Sequence, residues 1–337
     1  MIGFMPELYP DELVYSWISR YHVRSGHYSY QQTAEHLLIK KANVVSKKFI
    51  NLYVDDFFDF IERSITIDTL VENNTMFLAY FKFATREKQE SIKNIYSDRS
   101  ATKATLSIGV ENINKKMRFC PICAKEDREL YGETYWHRSH QFDRIIVCPT
   151  HKCYLIDSSA SFKAKSSLNS IAELIVPYDN DVTYVENKKQ LEFAQYHNDV
   201  INTKQVRHNI ELYDFLNAKL LSTKYMSNSG RLKHLEILYN DICGFCKEIN
   251  IECPTKENFR RLFHDKSHSP IYICVIGMFL GVTPYELVNR KLSHKVLVEE
   301  LDKKIIYLRK NRLSYKKIAK QLDITENIVM KCCYKKS

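Results

Sequence analysis

Two short pairs of metal-binding residues constrain this chain more than any other feature. The first is Cys120-Pro-Ile-Cys123 and the second is Cys148-Pro-Thr-His151, with residues 124–147 between them. Each turn of this kind points two side chains at one centre, and two such turns supply the four ligands of a tetrahedral Cys₃His zinc site. Because protein side chains fill all four positions, the pattern predicts one structural Zn²⁺ ion and no catalytic metal.

Other cysteines and histidines leave alternatives open. Three residues could replace one of the four ligands, although Cys153 also fits a small core position and the histidines fit surface or supporting roles: Cys153, His137 and His140. A second metal site could begin at Cys243-x-x-Cys246, with Cys253 and either His264 or His268. The first pair of that set lies in a helical apolar pattern, which favours packing. Cys332 and Cys333 have no upstream partner at a useful spacing, and we expect them to pack.

Length and composition favour a helical protein with more than one subdomain. The chain has 337 residues, 45% of them apolar, which is enough to bury a core and excludes general disorder. Only eight glycines and eight prolines occur, so turn-rich β-sandwiches and collagen-like repeats are disfavoured. The predicted fold is mainly α, with an N-terminal helix-turn-helix-like unit, a zinc-knuckle module and a C-terminal helical bundle that contains helix-turn-helix units.

We expect a cytoplasmic protein that neither crosses nor binds a membrane. The first residues lack the basic stretch of a signal peptide, and the longest apolar run, residues 271–282, is too short to span a bilayer. In that compartment, the ten cysteines are expected to be reduced thiols and metal ligands rather than a disulfide framework.

Four segments are predicted along the chain. They are an N-terminal helical region at 1–110, a zinc module at 111–157, a linker and helical region at 158–255, and a basic DNA-binding region at 256–337. The linker is placed on a run of serines at positions 158, 159, 161, 166, 167 and 170. Dense aromatic residues between positions 49 and 100 indicate a helical core rather than a stacking platform.

The N-terminal region is predicted to begin with two helices. The first runs from Pro10 to Gly26, with Asp11 and Glu12 in its first turn and glycine as its stop. The second opens at Ser29 or Tyr30 and continues to Ile39. Because these two helices carry both acidic and basic residues, we expect them to bind a protein rather than to read DNA.

The positive charge of the chain is concentrated at its C-terminus. Residues 261–337 contain 16 Lys/Arg and 7 Asp/Glu, a net charge of +9, whereas residues 1–260 contain 34 and 33. Lysine and arginine that neutralise phosphates supply affinity for nucleic acid, so this distribution predicts a polyanionic partner. A basic surface that is merely solvated is the alternative.

Two helical hairpins follow one another in this basic segment. In the first, Ser269 caps a helix that starts at Pro270 and ends before Gly281, and a capping box at residues 283–286 opens the next helix. This order fits a helix-turn-helix, or a packed hairpin without a role in DNA binding. The apolar residues of the last three helices are Ile305, Ile306 and Leu308, then Ile318, Ala319 and Leu322, then Ile328, Val329 and Cys332, with Ile324 in the turn.

The last of these helices is predicted to read double-stranded DNA. Ser314 and Thr325 are the expected N-caps, and the side chains expected to project toward the bases are Glu326, Asn327, Met330 and Lys331. Asn327 could make the bidentate contact to adenine. Phosphate contacts are expected from Lys316, Lys317, Lys320, Lys335 and Lys336.

The motifs around the cysteines resemble those of a known family. They read Arg118-Phe119-Cys120-Pro121-x-Cys123, Tyr131-Gly132-Glu133-x-x-Trp136-x-Arg138 and Cys148-Pro149-x-His151, preceded by Pro10-Asp11-Glu12-Leu13-x-Tyr15-Ser16-x-x-x-Arg20. Together they are similar to the signature of the TniQ/TnsD family, the target-site selectors of bacterial cut-and-paste transposons. The resemblance implies a non-catalytic adaptor that recognises a target and recruits an AAA+ ATPase, which in turn recruits the transposase. By family analogy, the unit around residues 10–40 is the candidate ATPase-binding surface.

Three other functions stay open at this stage. A TniQ adaptor on an RNA-guided CRISPR effector complex would let base pairing choose the site, so that its own DNA reading would be dispensable. A transcription factor would need no transposition partner. A zinc nuclease could use His137 and His140, although no Walker-A sequence occurs among the eight glycines and no acidic spacing marks a two-metal site.

Overall fold

The predicted helical class agrees with the computed structural model of the chain. The structure describes residues 4–37, 65–84, 88–91, 116–161, 170–205, 212–220, 223–225, 234–262, 269–290, 294–322 and 325–334. Helices dominate these residues, and the two strands that they contain form one antiparallel pair. Among them, we find no helix with the length and apolar character needed to cross a bilayer.

The first helix begins four residues later than predicted. Helix α1 is Val14–Arg24, α2 is Tyr30–Leu37, α3 is Ile67–Asn74 and α4 is Phe77–Phe81. The expected position of Asp11 and Glu12 in the first turn is wrong because both carboxylates bind arginines elsewhere and Asp11 adopts a φ of 55°. The predicted stop is confirmed, since Gly26 adopts a φ of +68° just after the helix.

The second helix begins as predicted. The Ser29 hydroxyl accepts a hydrogen bond from the backbone N–H of Gln32 at 3.2 Å, which is the geometry of an N-cap. The end predicted at Ile39 lies outside the described residues. Three of the aromatic residues assigned to the core, Phe77, Phe81 and Phe83, are buried.

A small sheet occupies part of the predicted linker. Strand β1, Lys116–Phe119, pairs antiparallel with β2, Ile156–Ser161, and Arg118 lies opposite Asp157. The linker assignment is therefore wrong for residues 158–161. Ser158 and Ala160 are buried and their neighbours are exposed, so the serines alternate across a paired strand. Ser166 and Ser167 lie outside the described residues.

The central helices continue the chain between this sheet and the basic C-terminus. After β1, helix α5 is Pro121–Tyr131, and a 3₁₀ turn covers Ser139–Gln141. After β2 come α6 at Ala172–Ile175, α7 at Lys188–Asn202, α8 at Leu212–Leu220, α9 at Leu235–Glu248 and α10 at Lys256–Arg261. One hydrophobic core joins buried residues from Leu13 to Val288, so it does not follow the four predicted segments.

The first predicted hairpin of the basic region belongs to this core. Helix α11 is Pro270–Phe279 and α12 is Pro284–Val288, with the predicted capping box present between Thr283 and Glu286. All residues from Pro270 to Gly277 are buried, and a Cβ on Gly277 would lie 2.7 Å from the Tyr196 hydroxyl of α7. With no exposed face on the first half of α11, a packed hairpin describes these helices better than a DNA reader.

The last three helices form a second, smaller core. They are α13 at His294–Lys310, α14 at Tyr315–Leu322 and α15 at Glu326–Tyr334. Ile305, Ile318, Ala319, Val329 and Cys332 are buried together, and Cys333 packs against them as predicted. We call residues 294–334 the C-terminal unit.

One residue assigned to that core is instead on the surface. Ile328 is 42% exposed, so its predicted place on the apolar face of α15 is wrong. Val329 and Cys332 are separated by three positions and point together into the core, whereas Ile328 lies about 100° away from Val329 around the helix. The predicted N-cap at Ser314 is confirmed, because its hydroxyl accepts from the N–H of Lys317 at 3.3 Å.

The second predicted metal site does not form from the described cysteines. The sulfurs of Cys243 and Cys253 are joined in a disulfide, with the two Cα atoms 5.2 Å apart, and Cys246 is fully buried in the core. The chain reverses at Asn250, which has a φ of 55°, and this turn returns Cys253 to α9. The expectation of reduced thiols is therefore wrong for this pair. His264 and His268 lie outside the described residues.

Candidate metal centre and nucleic-acid interface

The first cysteine pair lies at the junction between β1 and α5. Cys120 is the N-cap of α5, and its sulfur accepts a hydrogen bond from the backbone N–H of Cys123 at 3.4 Å. Pro121 occupies the first helical position, where its missing N–H costs no hydrogen bond. Both sulfurs consequently lie at the N-terminal end of the same helix.

The second pair lies in a tight turn before β2. The backbone N–H of Cys148 donates to the carbonyl of Cys153 at 2.9 Å, and the N–H of His151 donates to the Cys148 sulfur at 3.4 Å. Lys152 adopts a left-handed φ of 56°, which reverses the chain after the histidine. This turn places the Cys148 sulfur and the His151 ring beside the first pair.

The four predicted ligand atoms converge on one point. Nδ1 of His151 lies 3.5 Å from the sulfur of Cys120, 3.2 Å from that of Cys123 and 3.8 Å from that of Cys148. The sulfurs of Cys123 and Cys148 are 3.8 Å apart, and all four donors lie within 4.8 Å of one another. Around a tetrahedral Zn²⁺ ion, the expected edges are about 3.8 Å for two sulfurs and about 3.5 Å for sulfur and nitrogen. The cluster could therefore hold a tetrahedral metal ion.

The cluster is buried and its thiols interact strongly. The three cysteines are buried and His151 is half-buried. Hydrogen bonds from the thiols of Cys123, Cys148 and Cys153 lower the pKa of Cys120. The hydrogen bond between Cys123 and Cys120 raises the pKa of Cys123. The interaction between Cys148 and Cys120 likewise raises the pKa of Cys148 to about 11. A divalent cation would offset the repulsion between these sulfurs and let all three bind as thiolates.

Two of the three alternative ligands border the cluster. The sulfur of Cys153 lies 3.4 Å from that of Cys120, and Nε2 of His140 lies 3.6 Å from the Cys123 sulfur. His137 does not face the sulfurs, because its Nε2 lies 2.9 Å from a carboxylate oxygen of Asp127. Burial, with a smaller effect of nearby His137, lowers the pKa of His140 to about 3, so its ring is neutral.

Sequence reasoning missed the partner of the histidine ligand. Nε2 of His151 lies 3.1 Å from a carboxylate oxygen of Glu126 on α5. A metal-binding histidine commonly donates its second N–H to a carboxylate, which orients the ring and fixes its tautomer. The position of Glu126, three residues after Cys123 on one helix face, is the sequence signal that could have indicated it.

The remaining motif residues join the metal module to the N-terminal helices. Glu133 accepts a hydrogen bond from Nε of Arg20 at 2.9 Å and also pairs with Arg24, and Arg20 binds buried Glu12 at 2.7 Å. Trp136 is fully buried, and its carbonyl accepts from the N–H of Leu13 at 2.9 Å. These residues hold α1 against the module.

Arg138 connects three parts of the chain. Its guanidinium donates to a carboxylate oxygen of Asp11 at 3.1 Å, to the carbonyl of Glu72 at 2.8 Å and to the amide oxygen of Asn202 at 2.5 Å. The side chain is almost completely buried. The motif residues outside the cluster therefore hold the fold together.

The structure places most of the predicted DNA-contact residues on the surface of the C-terminal unit. Lys316, Lys317 and Lys320 are exposed on α14. Glu326, Asn327 and Lys331 are exposed on α15, where Met330 is half-buried. Residues 301–322 and 325–334 contain nine Lys/Arg and two Asp/Glu. Lys335 and Lys336 lie outside the described residues, and contact of any of these side chains with DNA stays a prediction.

Comparison with known proteins agrees with the resemblance seen in the motifs. The TniQ family matches residues 4–155, the region that contains α1 and the metal cluster. These matches support a TniQ/TnsD family protein. It is 24% identical over 156 residues to the Transposon Tn7 transposition protein TnsD of Escherichia coli. That alignment covers 43% of this chain but only 30% of the relative, so it leaves most of the relative's length unmatched.

Proposed function

We propose that this TniQ/TnsD protein selects target sites for a cut-and-paste transposon as a non-catalytic adaptor. In this role it binds double-stranded DNA through the C-terminal unit and recruits an AAA+ ATPase regulator through the region around residues 10–40. The ATPase then brings in the transposase. The family match over residues 4–155 is the observation that carries the link to transposition.

Direct reading of DNA by the C-terminal unit is supported by its charge and packing. The unit has its own small core, and α15 keeps Asn327 and Lys331 exposed beside that core. A helix held in this way can enter the major groove, where an asparagine pairs with adenine and lysines contact guanine or phosphate. Nine basic against two acidic residues would favour a polyanion at this surface.

Zn²⁺ is the metal that the cluster fits best. Three cysteine sulfurs and one imidazole are the donors of a structural zinc site, and their separations match a tetrahedron. All four positions come from the protein, which supports a role in stability. We expect one equivalent of zinc in the purified protein by elemental analysis, and its absence would contradict the assignment.

Selection from a randomised pool of DNA duplexes tests the proposed target recognition. The full chain, without guide RNA, is expected to enrich a defined sequence at moderate salt. Enrichment of no sequence would contradict direct recognition and would be the behaviour of an adaptor that depends on an RNA-guided complex. Magnesium-dependent nicking of supercoiled DNA by the pure protein would contradict the non-catalytic role.

Matched variants separate base reading from phosphate binding. Asn327→Ala is expected to relax the preference at one position of the enriched site, at a cost of about 1 to 3 kcal/mol for the correct base. Lys316→Ala should weaken binding to all DNA sequences alike. It should also reduce the salt dependence of that binding by the contribution of about one phosphate contact. Lys125→Ala is the control, because Lys125 lies on α5 and not in the C-terminal unit. It should change neither the sequence preference nor the salt dependence of binding.

Lys331→Ala should lower selectivity while the zinc content of the protein stays unchanged. If this variant lost zinc, the substitution would have disturbed the fold instead of a contact.

The ATPase contact is tested by mixing the protein with the transposon's AAA+ regulator. Truncation before α13 should abolish site selection but leave ATPase binding intact, and loss of both would contradict the proposed division of roles.

A further inference from the structure

A second imidazole lies against the metal-binding sulfurs. His140, in the 3₁₀ turn at Ser139–Gln141, is only 2% exposed. Its Nε2 is 3.6 Å from the sulfur of Cys123 and 3.7 Å from that of Cys148. Its other ring nitrogen, Nδ1, is buried and has no hydrogen-bond partner among the described residues.

We propose that His140 is a positioning residue that donates its Nε2–H to the thiolates of Cys123 and Cys148 and thereby strengthens metal binding. This inference rests on the proposed zinc site and goes beyond its four ligands. His140 does not bind the ion itself, because the His151 nitrogen lies within 3.8 Å of all three sulfurs and already completes the set of four.

The surroundings of the ring decide which nitrogen carries the proton. A neutral imidazole has one N–H and one acceptor nitrogen, and a buried ring stays neutral unless an acid pairs with it. Nε2 faces two sulfur acceptors, whereas Nδ1 faces no partner among the described residues. When Nε2 carries the proton, its N–H donates to both sulfurs. In the opposite tautomer, the buried N–H at Nδ1 would have no acceptor among the described residues.

The charge of the centre explains why this donor matters. Three thiolates around a divalent cation carry a net charge of −1, which is costly to bury without hydrogen-bond donors. The sulfurs of Cys120 and Cys148 each accept a backbone N–H, from Cys123 and His151 respectively, at 3.4 Å. Among the described residues, the sulfur of Cys123 has no backbone donor of this kind, so His140 supplies its N–H.

The two histidines thus act in opposite ways at one site. His151 presents Nδ1 to the sulfurs and gives its Nε2–H to Glu126, whose side chain is 52% exposed. His140 gives its Nε2–H to the sulfurs from the buried side. Because water can replace a half-exposed carboxylate but cannot reach the buried ring, removal of His140 should cost more metal affinity than Glu126→Gln.

Zinc affinity of the full chain, measured by competition with a chromophoric chelator, tests the proposal. His140→Leu removes the donor and is expected to weaken Zn²⁺ binding about 10- to 100-fold. His140→Gln keeps an amide N–H at nearly the same place and should stay within about threefold of the parent. His197→Leu removes another buried histidine, one that packs against Phe142 and Phe193, and is the matched control, with unchanged zinc affinity.

Cobalt substitution distinguishes a donor from a ligand. With Co²⁺ as the probe, His140→Gln should keep the charge-transfer and d–d bands of a tetrahedral site with three thiolates and one nitrogen. His151→Gln should change those bands. The proposal is overturned if His140→Leu binds zinc as tightly as the parent, or if substitution of His140 changes the cobalt ligand set as a lost nitrogen ligand would.

A measurement on the unmodified protein covers the case in which His140→Leu does not fold. Nitrogen-15 NMR of the histidine rings should show His140 protonated at Nε2 and free at Nδ1, and His151 metal-bound at Nδ1. Protonation of His140 at Nδ1, or metal binding through its Nε2, would refute the proposal. Failure of the DNA selection experiment would leave these ring assignments untouched, so the two proposals fail separately.

Discussion

His197 should make the protein less stable as the pH falls. It lies on α7, is 3% exposed, and packs edge-on against Phe142 of the metal module at a ring separation of 5.1 Å. Burial alone lowers its pKa to about 3. Since an unfolded histidine has a pKa of about 6.5, its neutral form stabilises the fold fully above that pH, and this stability is lost as the pH falls toward 3.

The size of the effect follows from the two pKa values. Each pH unit between them changes the free energy of unfolding by about 1.4 kcal/mol, which amounts to about 2 kcal/mol between pH 7 and pH 5. In His197→Leu the titrating group is absent, so the variant should lose about 2 kcal/mol less than the parent over this range. Proton competition for the metal-binding thiolates occurs in both proteins and cancels in the difference.

Urea unfolding at pH 7 and pH 5, with zinc in excess, measures this difference. Phe193→Leu is the matched control, because it perturbs the same helix without removing a titrating group and should lose the same stability at both pH values. Equal pH dependence in the parent and in His197→Leu would refute the reasoning. An NMR titration that placed the pKa of His197 near 6.5 would refute it independently.

Five further substitutions test the packing, the turns and the contacts of Arg138. In the C-terminal unit, Val329→Ala should cost about 2 kcal/mol, but Ile328→Ala less than about 0.5 kcal/mol, because only the valine is buried. Hydrogen exchange of α13–α15 in the full chain measures both, and equal effects would contradict the exposure of Ile328. Gly281→Ala should lower stability by about 1 to 2 kcal/mol, because φ is +67°, whereas Gly244→Ala in α9 should raise it by about 0.5 kcal/mol. Thermal unfolding that showed the same sign for both glycines would be inconsistent with their backbone angles. Arg138→Lys should cost about 2 kcal/mol or more, since one ammonium cannot replace three guanidinium hydrogen bonds, and a fully stable variant would contradict the connecting role.

Features that depend on near neighbours in the chain were predictable from the sequence. The spacing within each cysteine pair determines how two side chains meet, so the sequence indicated the four residues that the structure brings together. Helix ends at Gly26 and Gly281 and the capping box at Thr283 were predicted for the same reason. Each depends on backbone geometry within a few residues, which composition and spacing describe well.

Features that depend on distant partners in the chain were not predictable from the sequence. Asp11 looked like an acidic residue in the first turn of a helix until the fold placed Arg138 beside it, and the serines at 158–161 looked like a linker until β1 paired with them. Ile328 has the right residue type for a core but the wrong angle on its helix once Val329 and Cys332 point inward.

The sequence by itself determined the four residues of the Cys/His cluster, the helical class and the basic character of the last helices. Only the tertiary structure decided that α11 and α12 join the main core, that α13–α15 form their own, and that His140 lies against the Cys123 sulfur and Glu126 against the His151 ring. The physical reason is that local spacing limits the backbone directly, whereas the partner of a charged or buried group depends on which distant segments pack against it.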